Sequence, residues 1–410
     1  MPEATIIKLV PSYFMPVFLS LVNNYHIIQM KIHRRKLLCL IALIISFCFS
    51  ISAQEAPPQP TPTDEPIKIL TEEVRLNVTA QSTGGKFVPT LKPDDLLIVE
   101  SGTPQKIESM KRVPASVLVL LDTGGNLNFA KSLNMTRLTA KLLVEKISPG
   151  NAVAVMQSYN KIETVSGWTE NRETVQNDLD KKLFNGNRSQ FSASINAAIE
   201  LFKTRPPENR HLVFIGDGLD SLASANEREK AMQNLLAANI TLHVIAYNKM
   251  EAKRAKPMTR RIQIGEEIET PRIPEQQLEI IIQGLPTNMR DGFRRMAKAE
   301  RLFIVRLDNQ ALKLAKQKLE QWQKSETELQ AAAEETGGMF QAPEELETMW
   351  RFAGEIAQAI DSQYVVTYIP TKSFTESENG EARKIRVSTH CDGVIIRSRQ
   401  KVVSSGRNSN

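Results

Sequence analysis

Three short polar segments carry the side chains whose types and spacing suit chemistry: Asp122-Thr123-Gly124-Gly125-Asn126, Phe191-Ser192-Ala193-Ser194 and Gly216-Asp217-Gly218-Leu219-Asp220. The first and third follow apolar runs and the second opens a helical one, which is where an open parallel sheet gathers its ligands. Two carboxylates meeting there, Asp122 and Asp217, have the makings of a general acid/base pair, and hydrolysis by that pair is one reading. Against it, the chain has no Gly-x-Ser-x-Gly elbow, no His-Glu-x-x-His, no Gly-x-x-x-x-Gly-Lys and no cysteine pair for zinc. His211, His243 and His390 have no partner near them in sequence and read as structural. A structural reading also exists for the polar segments themselves: Asp122 caps a turn, Asn126 caps the following helix, and Asp220 with Ser221 marks a helix entry. A non-enzymatic protein is the expectation.

Positioning such segments requires a scaffold, and the surrounding sequence alternates strand and helix. Val117 to Leu121 (VLVLL) is a continuous apolar run suited to a strand buried on both faces. A helix is expected from about Phe129 to Ile147, stopped by Ser148-Pro149-Gly150. Strands at 152–156, 162–165, 212–215 and 241–246 alternate with helices at 171–183, 195–202 and 226–238. The fold class is therefore α/β: a doubly wound, mostly parallel sheet with a small β-rich flanking domain. Residues 67–113 read as the β-rich module and 114–248 as the α/β domain. Residues 249–330 read as a charged and helical insertion, and 331–362 as the final strand and helix of the α/β domain. The strands of 363–410 are expected to pair with 67–113. Within the insertion, Leu312, Ala315, Leu319, Trp322 and Leu329 fall near a heptad seam, which predicts a long helix from Asn309 to Glu335 packed on the chain's own body.

The order VLVLLDTGGN, FSASINAAIELF, HLVFIGDGLDS across residues 115–248 resembles the von Willebrand factor type A family. The flanking pieces GKFVPTLKPDDLLIVESGTPQKIESM, AAEETGGMF and SQYVVTYIP are similar to its exported bacterial, acidobacterial-type subgroup, called VWFA-related. The resemblance implies a Rossmann-like domain with a metal-ion-dependent adhesion site. In that site an Asp-x-Ser-x-Ser motif, a Thr and a second Asp hold Mg²⁺ (or Mn²⁺ or Ca²⁺) and leave one position for a partner's carboxylate. Carried over residue by residue, the metal set is Asp122, Asn126, Ser192 and Asp217. Gly124 and Asn126 stand in the two serine positions and Ser192 where Thr is usual, so one ligand is lost and one weakened. The resemblance thus implies a protein-binding, adhesion-type protein with a degenerate metal site. The alternative is a metal-free scaffold that contacts partners through 249–330.

Composition bounds the rest. The chain has 410 residues, 41% of them apolar and 24% charged, enough for one large core or two modest ones. From Met30, MKIHRRKLLCLIALIISFCFSISAQE has the basic start, apolar centre and small-residue end of a secretory signal, with cleavage expected near Ala53 and Met30 as the expected start. Lys8, Lys31, Arg34, Arg35 and Lys36 against Glu3 account for four of the six net positive charges, so the basic balance belongs mostly to targeting. The Pro-rich stretch 54–66 reads as a linker. Cys39 and Cys48 leave with the signal, so Cys391 has no partner for an intramolecular disulfide. The basic run 249–261 contains no aromatic residue for base stacking beside its charges, and nucleic acid is not an expected partner. Membrane contact is expected only through an uncleaved signal segment or that basic run, and the mature location is secreted or periplasmic.

Overall fold

The computed structural model describes residues 73–125, 131–256, 275–283, 287–298, 309–373 and 382–403, all within one compact unit that spans Leu70–Asn410. The signal at 1–53, the linker at 54–66, Asn126, Phe129, most of the basic run's second half and residues 374–381 lie outside the described residues.

The central sheet grows from β5 (Ser116–Asp122), whose seven residues are all buried. Its odd positions Val117, Val119 and Leu121 point to one face. There they pack with Met135 and Leu143 of α1 (Leu133–Lys146), Val175 and Leu179 of α2 (Arg172–Lys181), and Ala353 and Ile356 of α9 (Leu346–Asp361). The even positions Leu118 and Leu120 point to the other face, against Ile195 and Phe202 of α3 (Phe191–Phe202) and Leu235 of α4 (Ala225–Ala237). Strand pleating thus turns one apolar run into the contact surface of two helical layers, and each fully buried aliphatic side chain contributes roughly 1.5–3 kcal/mol.

β5 pairs in parallel with β6 (Ala152–Ser158) and with β8 (Arg210–Gly216), and β8 with β9 (Thr241–Ala246). The edges are a two-residue parallel strand, β10 (Phe340–Gln341), beside β9, and an antiparallel strand, β7 (Ile162–Thr169), beside β6. The order is β10-β9-β8-β5-β6-β7. This is the doubly wound, mostly parallel α/β sheet.

Helix starts differ in detail from the sequence pattern. α1 begins at Leu133 because the Ser132 side chain accepts a hydrogen bond from the Met135 N–H. α4 is opened by a capping box of Ser224 and Glu227, not by Asp220 and Ser221. The long helix α8 (Asn309–Thr336) follows α5 (Asn248–Ala255), α6 (Glu275–Gln283) and α7 (Thr287–Lys298). Its buried positions Trp322, Ser325, Leu329, Ala333 and Thr336 recur every three or four residues. Leu329 and Ala333 share the core of Leu118 and Leu120, so part of the segment read as an insertion forms a wall of the α/β layer.

Strands from both ends of the described chain build a second core. β1 (Val74–Ser82) pairs antiparallel with β11 (Gln363–Tyr368) and β13 (Val394–Ser398), and β11 pairs with β4 (Ile107–Lys111). A further sheet joins β2 (Leu96–Glu100), β3 (Thr103–Gln105), β12 (Ala382–Thr389) and β14 (Lys401–Val403). Leu76, Val78, Ile98, Val366, Tyr368 and Ile385 pack together, drawing on both sheets. No described helix is long and apolar enough to cross a membrane.

Candidate functional site

Asp122 is the last residue of β5, and Asp217 directly follows β8, its parallel neighbour, so the pairing alone sets the two carboxylates side by side. The approach is close: a Cβ on Gly216 would lie 2.5 Å from the Asp122 Cβ, and only glycine fits there. Between the carboxylates sits the ammonium of Lys131. Its Nζ donates to Asp122 Oδ2 at 2.6 Å, to Asp217 Oδ1 at 3.0 Å and to Ser189 Oγ at 3.0 Å. Lys131 is 4% exposed and the two aspartates 2% and 3%.

Electrostatics follow from that burial. Loss of water pushes the Asp122 carboxyl up to about 7, against the pull of Lys131 and with a push from Asp217. Burial acts on Asp217 in the same sense, but the Lys131 ammonium and the Leu219 backbone N–H outweigh it and hold Asp217 below the usual carboxylate range. Burial disfavours the Lys131 ammonium, and the two carboxylates more than reverse this, holding its pKa above that of an ordinary lysine. Lysine charged and Asp217 ionised is the state this geometry selects.

The loops around the cluster are tied from several directions. Asp122 Oδ1 accepts from the Gly124 N–H at 3.2 Å, the turn cap expected of it. Asp217 Oδ1 also accepts from the Leu219 N–H at 3.1 Å. The Asp217 carbonyl accepts from Ser325 Oγ of α8 at 2.7 Å and from Asn248 Nδ2 at 3.2 Å, and Asn248 also donates to the Trp322 carbonyl at 2.9 Å. The Lys131 backbone N–H donates to Glu251 Oε1 at 3.1 Å.

Of the four residues expected at the metal, Asp122 and Asp217 come together and Asn126 lies outside the described residues. Ser192 does not join them. Its hydroxyl donates to Asp220 Oδ2 at 2.5 Å, and the same oxygen accepts the Ser192 N–H at 3.0 Å, so Asp220 caps the first turn of α3 from another loop. The hydroxyl at the cluster is that of Ser189, which accepts from Lys131 and donates to the Gly124 carbonyl at 3.1 Å. The physical reason is placement: Ser192 lies inside the first turn of α3, whereas Ser189 lies in the loop ahead of it and faces the strand ends. The pattern offered one signal for Lys131, since it is the only charged residue between Asp122 and the Ser132 cap.

The residues present do not fit a divalent ion in this arrangement. Mg²⁺ needs near-octahedral oxygens at about 2.0–2.1 Å, and the space between the two carboxylates is taken by the Lys131 nitrogen. A serine cannot be restored at position 124, because its Cβ would lie 1.9 Å from the Arg188 carbonyl oxygen. No group of three or more His, Cys, Asp or Glu suited to a metal occurs among the described residues.

A second buried polar cluster occupies the opposite end of the same strands. The Met339 N–H donates to His243 Nδ1 at 3.2 Å, which leaves His243 Nε2 as the donor to His211 Nδ1 at 3.0 Å. His211 Nε2 then donates to Asn209 Oδ1 at 2.8 Å, and Asn209 Nδ2 to the Val113 carbonyl at 2.7 Å. His211 and His243, which lack partners in sequence, are each other's partners in space. Burial lowers the pKa of His243 to about 3 and holds His211 well below the usual histidine range, so both are neutral.

Comparison with known proteins places this architecture. Residues 117–219 match the family model of the von Willebrand factor type A domain, and the α/β fold around them is that of the family. Solved structures with a similar chain course include a von Willebrand factor type A protein from Catenulispora acidiphila, at 10% identity over 82% of this chain and 75% of that one, with a TM-score of 0.39. Another is the conserved hypothetical protein BatB from Bacteroides thetaiotaomicron, at 13% identity over 60% of this chain and 99% of that one, with a TM-score of 0.33. The von Willebrand factor domain of the type V pili tip protein Mfa5 from Porphyromonas gingivalis is 16% identical over 28% of this chain and 43% of that one, with a TM-score of 0.24. At these scores the overlays add nothing to the family match. No curated protein matches the sequence.

Proposed function

We propose that the chain is an exported, non-enzymatic bacterial protein that binds another protein through the loops at the carboxyl edge of its type A domain. The observation that carries this reading is a contrast along that edge. Asp122 and Asp217 are sealed under Lys131, while Phe184 and Leu222, on loops beside them, are 54% and 69% exposed. Phe184 packs near Tyr159 just beyond β6, and its N–H is held by Gln157 Oε1 at 3.0 Å. The loop that carries Leu222 is tied by the Ser221 N–H to the Ser189 carbonyl at 2.9 Å. Apolar anchors on rigidly held loops suit protein recognition. The lysine-paired carboxylates disfavour hydrolysis, because at 2% and 3% exposure they present almost no surface to substrate or water. Export rests on the signal pattern ending near Ala53.

The test is capture from bacterial envelope extract. A partner held by the wild-type protein and lost at least tenfold with Phe184→Asp plus Leu222→Asp, at unchanged circular dichroism, is the expected result. Equal recovery by both proteins removes this surface from the reading. N-terminal sequencing of the expressed protein checks export, with Gln54 expected first. The second reading, contact through 249–330, is favoured by Met289 and Leu314, 56% and 58% exposed on α7 and α8. Loss of the partner with Leu314→Asp, and not with the loop variant, selects it.

A further inference from the structure

We infer that Lys131 is a built-in replacement for the divalent ion of the type A domain: its ammonium is a permanent internal cation that organises the carboxyl edge, which needs no metal and offers a partner no coordination position.

Four observations converge. First, the nitrogen lies where a cation shared by the two strand-end aspartates must lie, 2.6 Å from Asp122 Oδ2 and 3.0 Å from Asp217 Oδ1. Second, the ammonium is saturated. It has three protons, and Asp122, Asp217 and Ser189 take one each, so none remains for an incoming carboxylate. Third, the backbone is built for this arrangement. The Arg188 carbonyl passes where a side chain at position 124 would begin, and the Lys131 N–H is held by Glu251, which fixes the root of the lysine. Fourth, the two serine hydroxyls expected or found near the cluster already have partners: Ser189 is within reach of the Gly124 carbonyl at 3.1 Å and of Asp122 Oδ1 at 3.4 Å, and Ser192 is bound to Asp220.

The physical logic is charge replacement. Two carboxylates packed together and shut off from water repel each other, and removing their counter-charge leaves an uncompensated buried charge. A metal ion supplies that charge reversibly, so a metal-bound edge answers to cation supply and to chelators. A lysine supplies it covalently. The edge therefore keeps one form whether or not Mg²⁺ is present, and partner binding there runs through side chains such as Phe184 and Leu222. The inference itself stands on the geometry of the cluster and does not depend on the partner reading.

The experiment uses the full expressed chain, with thermal unfolding followed in EDTA and then in excess Mg²⁺ or Mn²⁺, and Mn²⁺ binding counted by electron paramagnetic resonance. The wild-type protein is expected to show the same Tm in all conditions and no stoichiometric Mn²⁺. Lys131→Met is expected to unfold at lower temperature than the wild type and to regain part of the loss in Mn²⁺, since its two aspartates then lack a cation. Where Lys131→Met does not fold, Lys131→Met combined with Asp122→Asn and Asp217→Asn supplies the readout: recovery of the fold supports charge compensation by Lys131. Failure of that neutralised variant to fold overturns it. One Mn²⁺ per wild-type chain, lost with Asp122→Asn, overturns the inference as well, because the metal then displaces the ammonium. A Lys131→Met protein as stable as the wild type in EDTA also overturns it.

Discussion

Strand β8 carries a buried polar cluster at each end, and the two solve the same problem in opposite ways. At its start, His211 is buried completely and passes a chain of hydrogen bonds from Met339 through His243 to Asn209 with no net charge. At its end, Asp217 shares Lys131 with Asp122 in an ionic cluster of similar burial. The neutral chain needs only the right tautomers. The ionic cluster needs a cation, and its position at the carboxyl edge of the sheet ties that edge to whatever supplies the charge.

The comparison breaks most sharply at Lys131. Lys131→Met leaves two carboxylates without a counter-charge and should cost about 3–5 kcal/mol, the range for removing one partner of a buried ion pair, read as the free energy of urea unfolding. A loss within the scatter of replicate curves refutes the ionic account. The neutral cluster is broken instead by acid. Unfolded histidine titrates near 6.5, while burial holds His243 at about 3 and His211 well below its usual range. The unfolded state therefore binds more protons below 6.5. The stability these groups permit is complete above that pH and declines as pH falls toward the folded pKa values. The loss is about 2 kcal/mol for His243 by pH 5, at about 1.36 kcal/mol per pH unit, and His211 adds to it in the same direction. Unfolding curves at pH 7 and pH 5 for wild type and for His211→Gln with His243→Gln measure it. The variant should lose less than the wild type, and parallel curves would count against the neutral relay.

Smaller effects sharpen the boundary of the ionic cluster. Ser189→Ala removes one acceptor of the ammonium and should cost about 1–2 kcal/mol, whereas Ser325→Ala should cost only about 1 kcal/mol. The difference arises because the Asp217 carbonyl that loses Ser325 still accepts from Asn248. Equal and negligible losses at both positions would mean that α8 and the loop before α3 do not share the work of holding the edge.

Much of the scaffold was legible because its signals are local. Val117 to Leu121 is apolar at every position, and such a run suits a strand covered on both faces, here by helices. The helix at 309–336 was visible from its spacing, and Asp122 and Asp217 from their place after apolar runs. Ser189 was missed in favour of Ser192 because the two lie three residues apart on either side of a helix start that sequence locates only to within a few residues. Lys131 was passed over because it falls inside the helix expected from Phe129 to Ile147, where a lysine is ordinarily a solvated residue.

What the sequence determined by itself is the kind of sheet and the pair of acids at its edge, since strand periodicity and apolar runs act over a few residues. Only the tertiary structure decided what stands between those acids. Asp122, Lys131, Ser189 and Asp217 are nine, fifty-eight and twenty-eight residues apart in succession along the chain, and no local pattern links them. The parallel register of β5 and β8, the glycine at 216 and the carbonyl of Arg188 against Gly124 bring them within hydrogen-bond reach. Charge compensation in a buried site is a property of that meeting, because Coulomb energy depends on separation in space and on the exclusion of water, neither of which is written in the order of residues.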